Sequence, residues 1–198
     1  MIIIGLTGPS GSGKGWVSSI LEKHKIPAID TDAVYHDLLI PPSQCLDELC
    51  DIFGEGILQN GQLNRAALAS IVFSDKSKLE VLNKITHKYI LGKTDMLLSE
   101  FEKMGYRAAI VDAPALYEAA YEKKCNFVIA VTAPTQLRLK RIMKRDNITE
   151  EAALRRISAQ HDDEFYSSRA KYTVVNDNNE ERLVDELNSI LSSEGLLP

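Results

Sequence analysis

Short apolar runs alternate along this chain with longer stretches of helical period. The runs are Ile2–Leu6, Ile26–Ile29, Ala108–Val111, Phe127–Val131 and Tyr172–Val175, each four or five residues long and rich in Ile and Val. They lack the polar alternation of a half-exposed strand, so they read as strands covered on both faces of a parallel sheet. Between them the spacing predicts helices over Lys14–His24, Asp32–Leu39, Ser43–Phe53, Arg65–Val72, Lys76–Met104, Thr135–Lys144, Glu150–Gln160 and Glu180–Ser192. Strand-helix alternation predicts an α/β, doubly wound parallel sheet of about five strands, with helices on both faces and right-handed crossovers.

The spacing is uneven. A crossover needs only a dozen or more residues, yet the second and third strands are separated by residues 30–107, which read as helices broken at Pro41-Pro42 and Asn60-Gly61. We expect an inserted helical substrate subdomain over about residues 38–92, and a helical lid over about 138–169 between the last two strands. The core is then 1–37, 93–137 and 170–198 of a single domain.

Composition narrows the classes of function. The 198 residues are 44% apolar and 26% charged, an ordinary globular balance. Lys plus Arg number 23 against 28 Asp plus Glu, a formal charge of -5. That balance argues against a nucleic-acid partner, which would need a basic face. The apolar run Met1–Leu6 is too short for a signal or a membrane span, and no later run is longer. Three cysteines, Cys45, Cys50 and Cys125, show no CxxC spacing and form neither a disulfide framework nor a zinc site. A soluble cytoplasmic protein with no membrane partner is expected, a monomer being favoured.

The sharpest motif is Gly8-Pro9-Ser10-Gly11-Ser12-Gly13-Lys14, between a strand and a helix. Its glycines let successive backbone N–H groups face a phosphate, the helix N-terminus adds partial positive charge, and Lys14 reaches β/γ oxygens. The plain alternative is a glycine-rich connection. A full motif of this kind continues with Ser or Thr, whose hydroxyl binds Mg²⁺. Here Gly15 and Trp16 follow, so a magnesium ion would lean on the nucleotide's own oxygens and on water. An active enzyme with altered metal contacts and a nucleotide binder with weakened catalysis both fit.

Beyond the second strand stands Asp30-Thr31-Asp32. Ligands of open α/β sheets sit beyond the carboxyl ends of strands, and an enzyme that phosphorylates an alcohol wants a base there. Asp32 is the candidate; the alternative is that Asp30 and Asp32 both serve as helix caps. Asp112, at the end of the third strand, could hold Mg²⁺ through water, or could form the turn before Ala113-Pro114. Arg138, Arg141 and Arg145 are spaced three and four apart and share a helix face. They could meet phosphate charge on a closing lid, or form a solvated face paired with Glu150 and Glu151.

Together these segments resemble the dephospho-CoA kinase family. The resemblance rests on Gly5-Leu6-Thr7-Gly8 with the phosphate loop, on Ile26 to Asp32, and on Leu63-Asn64-Arg65 with Ile71-Val72-Phe73. It also rests on Asp112 to Glu118, Gln136-Leu137 and Lys140 to Arg145. It implies transfer of the ATP γ-phosphoryl to the ribose 3′-hydroxyl of dephospho-CoA, with Mg²⁺, in the last step of coenzyme A synthesis. By the resemblance, Lys14, Asp32 and Arg141 would be catalytic. Gly8, Ser10, Gly11, Ser12, Gly13, Lys14, Gly15, Trp16, Arg141 and Asn176 would bind the nucleotide. Thr7, Asp32, Arg65, His87 and Glu118 would bind the acceptor. The chain departs from the family at Lys88, which follows His87 where proline is usual, and at Gly15-Trp16 in place of Ser-Thr. One rival is another small-molecule kinase on the same scaffold, such as a nucleoside-monophosphate kinase. That rival needs arginines for an acceptor phosphate, and residues 38–92 hold only Arg65. The other rival is an ATP-binding module with weakened catalysis.

Overall fold

The computed structural model describes residues 1–197. Along the chain run β1 (Ile2–Thr7), α1 (Lys14–Glu22), β2 (Ala28–Asp30), α2 (Thr31–Asp37) and α3 (Gln44–Phe53). They are followed by β3 (Leu58–Gln59), β4 (Gln62–Leu63), α4 (Arg65–Val72), α5 (Lys76–Lys103) and β5 (Ala108–Asp112). The last elements are β6 (Phe127–Thr132), α6 (Thr135–Asp146), α7 (Glu150–Ser158), α8 (Asp163–Ser167), β7 (Tyr172–Val175) and α9 (Glu180–Ser193).

The chain divides into two compact units. The first holds Met1–Ile29 and the chain from Glu100 onward. Its centre is a parallel sheet in the order β2-β5-β1-β6-β7, flanked by helices on both faces as the alternation of strands and helices predicts. β1 lies against β5 from Ile2↔Ala108 to Leu6↔Asp112, and against β6 from Ile4↔Phe127 to Thr7↔Ala130. Strand order reverses at β1, so the loop that leaves β1 emerges at the switch point where such sheets bind ligands.

Alternate residues of the strands explain the packing. Ile4 and Leu6, together with Ile110, Ile129, Val131 and Val174, point to one face. There they meet Val17, Ile20 and Leu21 of α1 and Leu183, Leu187, Ile190 and Leu191 of α9. Each fully buried Leu or Ile of this layer contributes roughly 1.5–3 kcal/mol, which holds α1, and hence the loop before it, to the sheet. α1 is shorter than its periodicity predicts. Its last turn tightens through Lys23 N–H to Ile20 C=O and His24 N–H to Leu21 C=O, and Lys25 then takes a φ of 62°. β2 starts only after Pro27, which has no N–H to give; the Pro27 carbonyl accepts from Ile110 N–H at 2.8 Å.

The second unit is Asp30–Ser99. Leu39, Cys45, Leu49, Ile57, Leu68, Val72 and Ile85 form its core. Periodicity misses a two-stranded hairpin here, β3 with β4, turned by Asn60-Gly61, both at positive φ. No helix among the described residues is long and apolar enough to cross a membrane.

Candidate active site

The phosphate loop leaves β1 after Thr7, which is fully buried and donates its hydroxyl to the Pro114 carbonyl at 3.4 Å. Two of the loop glycines are required by close approach. A Cβ on Gly8 would lie 2.1 Å from the Val131 carbonyl oxygen, and one on Gly13 would lie 2.1 Å from Asn176 Nδ2. Gly13 also has φ 92°, and it starts α1 with no side-chain cap and no acid in the first turn.

Side chains from the far end of the sequence hold the loop's carbonyls. Arg138 Nε donates to Ser10 C=O at 3.0 Å. Arg141 Nη1 donates to Gly11 C=O at 3.1 Å and to Ser12 C=O at 3.2 Å. Asn176 Nδ2 donates to the same Ser12 carbonyl at 2.9 Å. A trans peptide points its C=O and N–H in opposite directions. Three consecutive carbonyls turned toward these donors therefore turn the N–H groups of Gly11, Ser12 and Gly13 the other way. Ser12 N–H closes a turn on Pro9 C=O at 3.2 Å, which leaves the Gly11 and Gly13 amides beside the helix terminus. Such an array is an anion cradle. The Ser12 hydroxyl of this loop is buried without a hydrogen-bond partner, the kind of orphaned polar atom that a ligand satisfies.

The motif's cations lie at the same loop. Lys14 Nζ donates to Gly8 C=O at 3.0 Å. Arg141 makes three further bonds through Nη2, to Asn176 C=O, to Asn176 Oδ1 and to Asn178 Oδ1 at 2.6 Å. Burial lowers its pKa from the ordinary arginine value, and the guanidinium keeps its charge. Arg145 Nη2 reaches Ser10 Oγ at 3.3 Å and pairs with Asp146. Arginines of one helix face thus fasten the loop from outside. Gly15 is exposed, and a Cβ there would meet no heavy atom within 4 Å. Trp16 packs partly buried against the core under α1.

Asp112 ends β5 in register with Leu6, at the same end of the sheet as the loop. Glu118 is exposed and lies 3.6 Å from His161 Nε2, at a groove of about 600 Å³ that Tyr117, Glu122, Phe165 and Arg169 also line. Burial pushes the Tyr117 hydroxyl up to about 12 and the Cys125 thiol also to about 12. Neither group ionises near neutrality, so neither offers a nucleophile. Among the described residues no three His, Cys, Asp or Glu side chains group as a metal site.

The second unit carries the remaining expected residues. Asp30 is the N-cap of α2: its Oδ1 accepts from Asp32 N–H at 2.8 Å and from Ala33 N–H at 3.1 Å. Asp32 stands in the first turn with an exposed side chain. Arg65 follows the Asn64 cap of α4; its Nη2 lies 2.6 Å from His36 Nδ1, and its guanidinium carbon sits 5.9 Å from the Tyr35 ring centre. Arg65 and His36 line a groove of about 260 Å³ with Leu39, Ile40, Pro41, Gln62 and Leu63. His87 lies half-buried on α5. Next to it, Lys88 and Tyr89 both donate to Glu48, which lowers the pKa of that carboxyl.

A family model described as dephospho-CoA kinase matches residues 2–182. The chain belongs to the dephospho-CoA kinase family. Curated dephospho-CoA kinases match along most of its length. The one from Lactobacillus johnsonii is 33% identical over 97% of this chain and 98% of its own. The one from Moorella thermoacetica is 40% identical over 86% of this chain and 81% of its own. Among solved structures, dephospho-CoA kinase from Campylobacter jejuni superposes with TM-score 0.69 at 27% identity, covering 96% of each chain. A Thermus thermophilus protein superposes with TM-score 0.83 at 29% identity, covering 98% of this chain and 97% of that one. Shikimate kinase from Acinetobacter baumannii, at 18% identity and TM-score 0.54 over 98% of this chain and 94% of its own, shares the fold. Dephospho-CoA kinases carry out the last step of coenzyme A synthesis, with ATP as phosphoryl donor. The nucleoside-monophosphate kinase and binding-module alternatives are not favoured.

Within this dephospho-CoA kinase framework, three contributors escape a reading of the sequence: Gln160, Asp163 and Asn178. Gln160 accepts from Ser10 N–H, Asp163 pairs with Arg138, and Asn178 accepts from Arg141. Asn178 lies two residues past Asn176, which the resemblance names. The other two had no motif to mark them.

Proposed function

We propose that this chain transfers the γ-phosphoryl of ATP to the ribose 3′-hydroxyl of dephospho-CoA, and that it does so as a cytoplasmic monomer. The observation that carries the reading is the set of three loop carbonyls held by Arg138, Arg141 and Asn176, in a chain of this family. The N–H groups of Gly11 and Gly13 and the ammonium of Lys14 hold the β- and γ-phosphates, with Gly8, Ser10, Ser12, Gly15 and Trp16 shaping the loop around them. Asn176 borders the adenosine end. Asp32, in the first turn of α2, accepts the hydroxyl proton as the new P–O bond forms. Arg141 holds the loop from its carbonyl side, so its charge acts across the loop peptides on the negative charge that develops on the migrating group. Thr7, Arg65, His87 and Glu118 bind the acceptor. The helical segment 38–92 holds the acceptor, and segment 138–169 closes as a lid.

The donor set fits magnesium only sparsely. Asp112 would hold Mg²⁺ through water, and the bound ion would neutralise charge on the β/γ oxygens. Catalysis is positioning plus electrostatics, with no covalent enzyme intermediate.

A coupled ADP-release assay tests the reading. Turnover with dephospho-CoA as acceptor is the expected result. Turnover only with a nucleoside monophosphate would reassign the acceptor, and ATP binding without turnover would leave a binding module.

A further inference from the structure

Ser10 is held at both of its peptide groups by residues that the phosphoryl transfer itself does not use. Its N–H donates to Gln160 Oε1 at 3.0 Å and its C=O accepts from Arg138 Nε at 3.0 Å. The same Gln160 oxygen accepts from Arg138 Nη2 at 3.4 Å, and Arg138 Nη1 donates to Asp163 Oδ1 at 3.2 Å. Arg138 is only 4% exposed. It is a buried cation that donates to the loop, to Gln160 just past α7 and to Asp163 at the start of α8.

We propose that Gln160 is a positioning residue for the phosphate loop, acting with Arg138 and Asp163 as a clamp on Ser10. The proposal rests on the reading that this loop holds the phosphates of ATP. A planar peptide has no internal rotation. Pinning the groups on both sides of Ser10 therefore fixes its φ and ψ, and with them the direction of the Gly11 N–H. Gly11 has φ 78° and would otherwise range widely. Without Gln160 the amides must be ordered by the nucleotide itself, which weakens binding without any lost contact to it. The acceptor does not meet this loop segment, so the effect falls on one substrate.

The test is steady-state kinetics of Gln160→Met, which keeps the volume and removes the acceptor, and Gln160→Glu, which keeps an acceptor at the same reach. For Q160M the KM for ATP rises about tenfold while the KM for dephospho-CoA stays within about twofold, and Q160E recovers most of the loss. An unchanged KM for ATP overturns the clamp. So do equal losses in the two variants, or KM values for both substrates that rise together. Hydrogen exchange on the wild-type protein without nucleotide gives a second check: the Ser10 amide is protected, and exchange at the rate of an open loop overturns the proposal even if Q160M does not fold. A wild-type enzyme that releases no ADP with dephospho-CoA would instead sink the functional reading, whatever the variants do.

Discussion

Helix α1 begins at Gly13 in a left-handed conformation with no capping side chain, whereas α2 begins at Asp30, whose carboxylate accepts from Asp32 N–H at 2.8 Å and Ala33 N–H at 3.1 Å. Ser43, Asn64, Thr149 and Asn179 cap α3, α4, α7 and α9 in the same way as Asp30 caps α2; α6, which follows Pro134, lacks a side-chain cap as α1 does. What sets α1 apart is that the uncapped end is also surrounded by arginines that hold carbonyls rather than amides. A capped helix start satisfies its amides internally, at a gain of about 1 kcal/mol. An uncapped one keeps them for a ligand. The two ends of this comparison also separate two aspartates two residues apart: Asp30 is tied to the backbone, and Asp32 is the proposed base.

Substitutions can break that contrast, beginning with the largest effect. Asp32→Asn should lower kcat by about 10²–10⁴ with little change in thermal stability, measured by ADP release and by melting. A near-normal kcat would transfer the base role elsewhere. Lys14→Ala should cost about 10²–10³ in kcat, with ATP binding weakened in calorimetry; unchanged turnover would contradict the role of the loop. Asp30→Ala should do the reverse of Asp32→Asn. It loses about 1 kcal/mol and about 2–4 °C in Tm, while kcat stays within about threefold. A collapse of activity there would make Asp30, not Asp32, the chemical group. Gly15→Ser is the mildest. Its Cβ has open space, so Tm should rise by about 1–3 °C from improved helix propensity. Activity should change by less than about threefold; a large gain would mean that the missing hydroxyl limits magnesium binding.

Much of this architecture can be read from local pattern. Buried parallel strands announce themselves as unbroken Ile/Val runs, and all five lie within two residues of their expected bounds. The phosphate loop is legible because its glycines answer local demands, a positive φ at Gly13 and a carbonyl pressed against Gly8. The β3–β4 hairpin was missed although Asn60-Gly61 is a strong hairpin turn, because strands of two residues are too short to show alternation. The arginine face of α6 was visible by spacing. Its direction was not: whether Arg141 meets a phosphate or a loop carbonyl depends on how α6 packs, which periodicity does not encode. Gln160 lies furthest from view. A neutral side chain just past a helix end carries no charge pattern or motif, and its meaning comes only from Ser10, 150 residues earlier.

That separation bears on how the protein is made. Ser10 is shaped by Arg138, 128 residues downstream, and Ser12 by Asn176, 164 residues downstream. A nascent chain displays its glycine-lysine motif early in translation but gains nucleotide affinity only when nearly all of it has left the ribosome. Products of premature termination would carry the signature and bind nothing.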